Sequence, residues 1–275
     1  MQRRFRQVDV FTETAYRGNP VAVVLDGDGL ADEELARIAN WTNLSETTSV
    51  LPPTQPGADY RVRIFTPSRE LPFAGHPTLG TCHAWLQAGG QPAGDDVVQE
   101  CPAGLVRVRR ADGRLAFAAP PLLRGGPVEA DLVASLTAAA GIDPAAVVAA
   151  EWVDNGPGWI ALLLDSVDAV LAANPTTEVG DLGLVALHPP GADVDLEVRA
   201  FFPQNGTAVE DPVTGSLNAS VAMWLLDTHR LPSPYVARQG TALGRAGRVH
   251  VEVDAEGTIW IGGGTVTCID GTIEA

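Results

Sequence analysis

The sequence contains no lysine: all 18 of its basic residues are arginine. Without lysine there is no Schiff base, which excludes amine chemistry on a substrate carbonyl or on pyridoxal phosphate. A P-loop is excluded as well, because its lysine reaches the nucleotide phosphates. Cysteine is scarce. Cys82, Cys101 and Cys268 form no C-x-x-C pair, and an odd count implies no disulfide framework. There is no G-x-G-x-x-G and no G-x-S-x-G, so dinucleotide enzymes and serine hydrolases are disfavoured. No apolar run approaches the roughly 20 residues of a membrane-spanning helix. Met1 to Arg6 is charged and leads straight into Val8-Asp9-Val10-Phe11, without the apolar core of a signal peptide. These absences predict a cytoplasmic protein with no membrane partner.

What is present is an acidic, ordinary globular mixture. The formal charge is -16, with 45% hydrophobic and 19% charged residues over 275 positions. Such a surface repels a phosphate backbone, and the one basic cluster, Arg107, Arg109 and Arg110, lies in an alternating strand pattern; nucleic acid is not an expected partner. The length suits one large domain or two of roughly 130 residues.

The chain repeats itself. Val62-Arg63-Ile64-Phe65-Thr66-Pro67 matches Val198-Arg199-Ala200-Phe201-Phe202-Pro203 at an offset of 136, and His76-Pro77-Thr78-Leu79-Gly80-Thr81 matches Asp211-Pro212-Val213-Thr214-Gly215-Ser216 at 135. Gly18-Asn19-Pro20 resembles Asn155-Gly156-Pro157, and the hairpin-like stretch turning at Asp112-Gly113 resembles the one near Glu256-Gly257. Four matches in one order point to a diverged duplication. Period-2 patterns predict strands near 6–11, 20–25, 60–66 and 104–117, then near 159–164, 183–188, 196–202 and 248–262. Each half also has a helix without a polar face, near 77–88 and 212–226, which predicts a helix wrapped by its own half's strands. Asp32 to Trp41 reads as an amphipathic helix, with Leu35, Ile38 and Trp41 on its apolar side. Ala130 to Ala140 reads as another, stopped by Gly141. The Pro- and Gly-rich stretch from Ala118 to Val128 is the linker candidate. The expected domains are 1–120 and 121–275, with a last strand near 264–275 that returns to the first half.

The chemistry is expected at the starts of the two buried helices. With Pro at the first helical position, Asp211 reads as an N-cap and His76 takes the equivalent place. Free N–H groups and the helix dipole make such ends attractive to anions, and two of them facing one cleft would hold a small carboxylate. Glu46 lies in the polar run Asn43 to Ser49, which reads as unable to belong to a core face. Partial burial there would suit it to proton transfer.

Three segments resemble the motifs of the PhzF-like phenazine-biosynthesis family, in the diaminopimelate-epimerase-like superfamily. They are Asn43-Leu44-Ser45-Glu46-Thr47, Gly75-His76-Pro77-Thr78-Leu79-Gly80 and Glu210-Asp211-Pro212-Val213-Thr214-Gly215-Ser216. Val8-Asp9-Val10-Phe11-Thr12 and Gly18-Asn19-Pro20-Val21-Ala22-Val23 fit as well, so the resemblance spans nearly the whole chain. It implies an α+β fold of two pseudo-symmetric halves, each a curved, mostly antiparallel, barrel-like sheet around a central helix. It implies a homodimer, no metal and no organic cofactor. By the same resemblance Glu46 is the general acid/base of an isomerase that moves a proton between carbons of a dihydro-hydroxyanthranilate-like carboxylate. His76 and Asp211 assist it, and Ser45, Gly75, Gly215 and Ser216 hold the substrate. The superfamily's racemases carry a cysteine at each helix start. Here those places hold His76 and Asp211, and Cys82 reads as a buried, inert thiol. The competing readings are an amino-acid racemase, epimerase or dehydratase, and a non-catalytic small-ligand binder.

Overall fold

The computed structural model of the protein describes residues 1–204 and 206–275. Its elements begin with β1 (Gln2–Val10), β2 (Asn19–Val24), α1 (Asp32–Thr42), β3 (Glu46–Leu51), β4 (Tyr60–Phe65), β5 (Glu70–Leu71), α2 (Gly75–Gln87), β6 (Val97–Cys101), β7 (Gly104–Ala111) and β8 (Arg114–Ala118). They continue with α3 (Ala130–Ala140), β9 (Val147–Trp152), β10 (Ile160–Leu164), α4 (Val167–Ala172), β11 (Leu182–Leu187), β12 (Leu196–Gln204) and β13 (Thr207–Asp211). The last are α5 (Gly215–Asp227), β14 (Tyr235–Gln239), β15 (Gly247–Val253), β16 (Ile259–Gly263) and β17 (Thr265–Glu274). One unit comprises Met1–Ala118 with Gly262–Ala275, the other Ala119–Ile261.

In the first unit β1 runs antiparallel between β2 and β17, and β2 pairs in parallel with β3. Then β3–β4 and β4–β5 are antiparallel, β4–β6 parallel, and β6–β7–β8 antiparallel. The second unit uses the same scheme. There β9–β10 is antiparallel, β10–β11 parallel, β11–β12 and β12–β13 antiparallel, β12–β14 parallel and β14–β15 antiparallel. This is the mixed α/β architecture, with large curved sheets and few helices, that the resemblance implies.

Sheet curvature around a helix requires small residues at the contact. Gly80 of α2 sits against β2 so closely that a Cβ there would lie 2.3 Å from Val21 Cγ1. Buried residues from Gly75 through Cys82 leave α2 no solvent face in its first two turns. In the second unit α5 is buried likewise over Leu217 to Ala222, and a Cβ on Gly183 of β11 would meet Leu217 Cδ1 at 2.6 Å. The second unit's core gathers Leu162, Leu182, Leu184 and Phe201, together with Leu136 of α3. Each fully buried aliphatic side chain contributes on the order of 2 kcal/mol.

Several expectations need correction. The helices are Gly75–Gln87 and Gly215–Asp227, so Pro77 is the third residue of α2 and Pro212 precedes α5 altogether. The N-caps are Ala74 and Thr214, not His76 and Asp211. The polar run after Glu46 does belong to the core. Thr47, Thr48 and Ser49 are buried in β3, where Thr48 Oγ1 donates to the Ala22 carbonyl and accepts from Thr81 Oγ1 at 2.8 Å. A threonine whose hydroxyl is satisfied packs like valine, and polarity alone does not reveal this. Trp41, expected on the apolar face of α1, is 79% exposed.

The repeat also shifts its offset. Arg63 donates through Nε and Nη2 to both oxygens of Glu70 at 2.8 Å and stacks 5.0 Å from the Phe65 ring. Arg199 does the same to Glu210 at 3.1 and 2.8 Å, 4.8 Å from the Phe201 ring. Each hairpin thus clamps its own Arg–Glu pair. The helices start 140 residues apart, because the hairpin from Arg199 to Glu210 is four residues longer than the one from Arg63 to Glu70. Counted from the helix starts, His76 therefore corresponds to Ser216. Asp211 follows the paired Glu210 as Leu71 follows Glu70.

The two clamps differ in burial. Arg199 and Glu210 side chains are 7% and 9% exposed, and Arg199 Nη1 also donates to the Val170, Leu171 and Ala173 carbonyls at the end of α4. Arg63 and Glu70 are 21% and 32% exposed. Removing one partner of a buried pair typically costs 3–5 kcal/mol, against ~1 or less for an exposed one. Arg199→Met is therefore expected to lower the urea unfolding free energy by about 3 kcal/mol and Arg63→Met by about 1. Equal losses would contradict this account.

Candidate active site

In the first unit the site starts with a pinned loop. Asp9 Oδ2 accepts the N–H groups of Arg17 and Gly18 at 2.8 and 3.0 Å. A Cβ on Gly18 would lie 2.1 Å from the Val10 carbonyl, so only glycine allows this close return of the chain. The loop delivers Asn19, fully buried, to the start of β2. Beside β2, β3 begins at Glu46, which is opposite Val21 in the parallel ladder. Asn43, at φ 52°, ends α1 in the left-handed region and turns the chain into Ser45 and Glu46.

The first turn of α2 meets this edge. His76 Nε2 lies 3.4 Å from Glu46 Oε2, and His76 Nδ1 lies 3.5 Å from Asn19 Nδ2. The His76 side chain is 5% exposed and that of Glu46 15%. Burial pushes the His76 imidazolium down to a pKa of about 3, with a backbone hydrogen bond to Pro20 opposing the shift. Near neutral pH the ring is uncharged, so this 3.4 Å approach is a contact between two buried polar atoms and not an ion pair. Gly75, the first helical residue, is buried, and Ala74 offers no side-chain cap. The N–H groups of that turn thus have no side-chain acceptor at the cap.

The second unit builds a different site on the same frame. Asp211 ends β13, is 8% exposed, and accepts a 2.5 Å hydrogen bond from Thr214 Oγ1. The hydroxyl of the N-cap residue is therefore spent on a carboxylate, and α5 also lacks a side-chain cap. Gln239 of β14 locks the turn: its Oε1 accepts from Thr214 N and Asn218 Nδ2, and its Nε2 donates to Thr214 Oγ1. Gln99 of β6 holds Thr78 of α2 in the same way, by a 2.9 Å bond to Oγ1. Gly215 opens α5, and Ser216 follows it. Trp159 Nε1 donates to Ser216 Oγ at 3.0 Å, and Asn155 Nδ2 to the Ser216 carbonyl at 2.8 Å.

The structure thus brings Glu46 and His76 together, with Ser45 and Gly75 adjacent in chain. It places Asp211, Gly215 and Ser216 in one turn of the second unit. Sequence reasoning did not assign Asn19, Trp159, Thr214 or Gln239 to these sites. The Gly18-Asn19-Pro20 and Asn155-Gly156-Pro157 match was a usable signal, since both segments lead to a second helical residue. Cys82 is buried inside α2 with its thiol raised to about 12, by burial foremost, and is unreactive. Among the described residues, no group of three or more His, Cys, Asp or Glu could hold a metal ion, and no helix is long and apolar enough to cross a membrane.

Residues 8–271 match the family model described as phenazine biosynthesis-like protein, PhzC-PhzF. The chain is 35% identical to antisense-enhancing sequence 1 of Schizosaccharomyces pombe, covering 98% of both chains. It is 34% identical to trans-2,3-dihydro-3-hydroxyanthranilate isomerase of Pseudomonas aeruginosa, over 92% of this chain and 91% of that one. Among solved structures, a PhzF-family phenazine biosynthesis protein of Bacillus anthracis superposes with a TM-score of 0.86, at 23% identity and 100% coverage of both chains.

His76 makes a stability prediction. Its pKa is about 3 in the folded protein and 6.5 when unperturbed. Between these values the unfolded chain holds more protons, so its contribution is complete above pH 6.5 and is lost as pH falls toward 3. One such group changes stability by at most ~1.4 kcal/mol per pH unit. Between pH 7 and pH 5, the wild-type unfolding free energy should fall more than that of His76→Asn, by about 2 kcal/mol. Parallel pH profiles in urea titrations would show that His76 is not buried in neutral form.

Proposed function

The chain belongs to the PhzC-PhzF phenazine-biosynthesis-like family, and from that membership we propose that it is a cofactor-independent isomerase with Glu46 as its general acid/base. The observation that carries this reading is the 3.4 Å approach of Glu46 Oε2 to a buried, uncharged His76. A proton shuttle must hold the carboxyl in both ionisation states during one cycle. A neutral imidazole has one N–H and one lone pair, so it can accept from the acid form and, as the other tautomer, donate to the carboxylate. A charged imidazolium could do only the second.

On this reading Glu46 takes a proton from one carbon of a small carboxylated substrate and returns it to another, and the double bond migrates between them. Relatives named trans-2,3-dihydro-3-hydroxyanthranilate isomerase make that compound the first substrate to test. Ser216 Oγ accepts from Trp159, which leaves its own O–H to donate to a substrate oxygen. The backbone N–H groups of Gly75 and Gly215 open helices without side-chain caps and suit an anion. Ser45 contributes beside Glu46, and in the second unit Asp211 is the carboxylate that holds Thr214. Racemisation needs a second acid/base on the opposite substrate face.

The test is deuterium exchange in D₂O with trans-2,3-dihydro-3-hydroxyanthranilate, followed by NMR. Wild type should isomerise the compound with deuterium at the newly protonated carbon, and Glu46→Gln should be at least ~100-fold slower while folded. Equal labelling by both proteins would remove Glu46 from the role. Inversion at a single labelled carbon would establish epimerisation instead. Tight binding without exchange would make the protein a ligand binder.

A further inference from the structure

The first unit carries a second recess, at the far end of the β3–β4 ladder from Glu46. It has a volume of about 260 Å³, and its lining includes Arg61, Arg63, Glu70, Glu100, Cys101 and Pro102. Arg61 is opposite Leu51, the last residue of β3, whereas Glu46 is the first. At ~3.3 Å per residue the two places are roughly 17 Å apart along the strand.

Most charges lining the recess are already committed. Arg63 is held by Glu70 and Asp32. The Glu100 carboxylate accepts from Thr54 N, Thr54 Oγ1 and Gln55 N. Burial opposes its ionisation, but these hydrogen bonds, with Arg61 nearby, keep its pKa below the usual carboxylate value. Arg61 is different. Its Nε is buried without an acceptor, and among the described residues its guanidinium makes no hydrogen bond or ion pair. Arg3, Arg6, Arg109 and Arg114 also have a buried Nε without an acceptor, but each engages a partner by other means. A buried, unsatisfied donor on a fixed cation is costly unless something occupies it.

We propose that this recess binds a small monocarboxylate with an apolar body, its carboxylate on the Arg61 fork. Guanidinium Nε and Nη present parallel donors at the spacing of two carboxylate oxygens. Pro102, which is exposed, supplies an apolar surface for the hydrocarbon part. Glu70 and Glu100, which also line the recess, oppose a dianion more than a monoanion, so inorganic phosphate is discriminated against. The site is separate from Glu46 and does not depend on what Glu46 does.

Benzoate is the probe, titrated into ¹⁵N-labelled full-length protein while the Arg61 Nε–Hε resonance is followed. That resonance is identified by its absence from Arg61→Gln, or from Arg61→Lys if the first variant does not fold. The expected result is a saturable shift with a dissociation constant of ~1 mM. Phosphate should produce less than a tenth of the effect at equal concentration. Glu46→Gln should leave the Arg61 shift intact, and Arg61→Lys, followed by the backbone amide resonances of Val62 and Cys101, should weaken benzoate binding at this site about tenfold. No shift, a shift that rises linearly without saturating, or an equal response to phosphate would overturn the proposal. Loss of the shift in Glu46→Gln would place the benzoate at Glu46 instead and would also overturn it.

Discussion

The contact of α2 with β2 at Gly80 is the constraint on which the first unit's chemistry depends. With no side chain at that point, the helix axis comes close enough for Val21 to fill the gap. The first helical turn is then buried beside the neighbouring ends of β2 and β3. A turn placed there cannot be solvated, so its second residue must find partners among the side chains at those strand ends. Asn19 and Glu46 are those partners. Burial makes His76 neutral, and neutrality is what gives it both a donor and an acceptor. Packing, electrostatics and the proposed proton transfer are thus successive consequences of one close approach.

The second unit shows what the same frame does with other residues. Its pairing scheme, its Arg–Glu–Phe clamp, its buried Gln behind the helix start and its 13-residue central helix all recur. The residues that meet at the second helical position do not. Where the first unit has Asn19 against His76, the second has Trp159 against Ser216. Its carboxylate, Asp211, comes from the hairpin strand before the helix and bonds to the cap residue Thr214. Structural positions tolerate only residues that satisfy the same geometry, and site positions are free to differ.

Much of this was legible in the sequence because the relevant signals are local. Helix α3 and its stop at Gly141 follow from a run of helix formers ended by a residue that adopts a φ of 66°. The buried character of α2 and α5 follows from their lack of a polar face, and the three motifs carry the family. Other elements were hidden for physical reasons. β3 reads as a polar loop because threonine and serine hydroxyls look exposed until their acceptors, Ala22 and Thr42 among them, are brought near. The true helix starts were masked by Pro77 and Pro212, which satisfy the rule for a first helical position without occupying it.

The sequence by itself determined the class of architecture, the repeat, the two buried helices and the family, since each rests on periodicity, small-residue content or a contiguous motif. Only the tertiary structure decided that His76 corresponds to Ser216, that Asp211 ends a strand, and that Arg63 and Arg199 close their own hairpins. It alone showed His76 against Glu46 and, among the described residues, an Arg61 guanidinium without a hydrogen bond or ion pair. These are matters of register and of which distant groups meet. A shift of a few residues in one hairpin changes every such pairing downstream while leaving composition and period as they were.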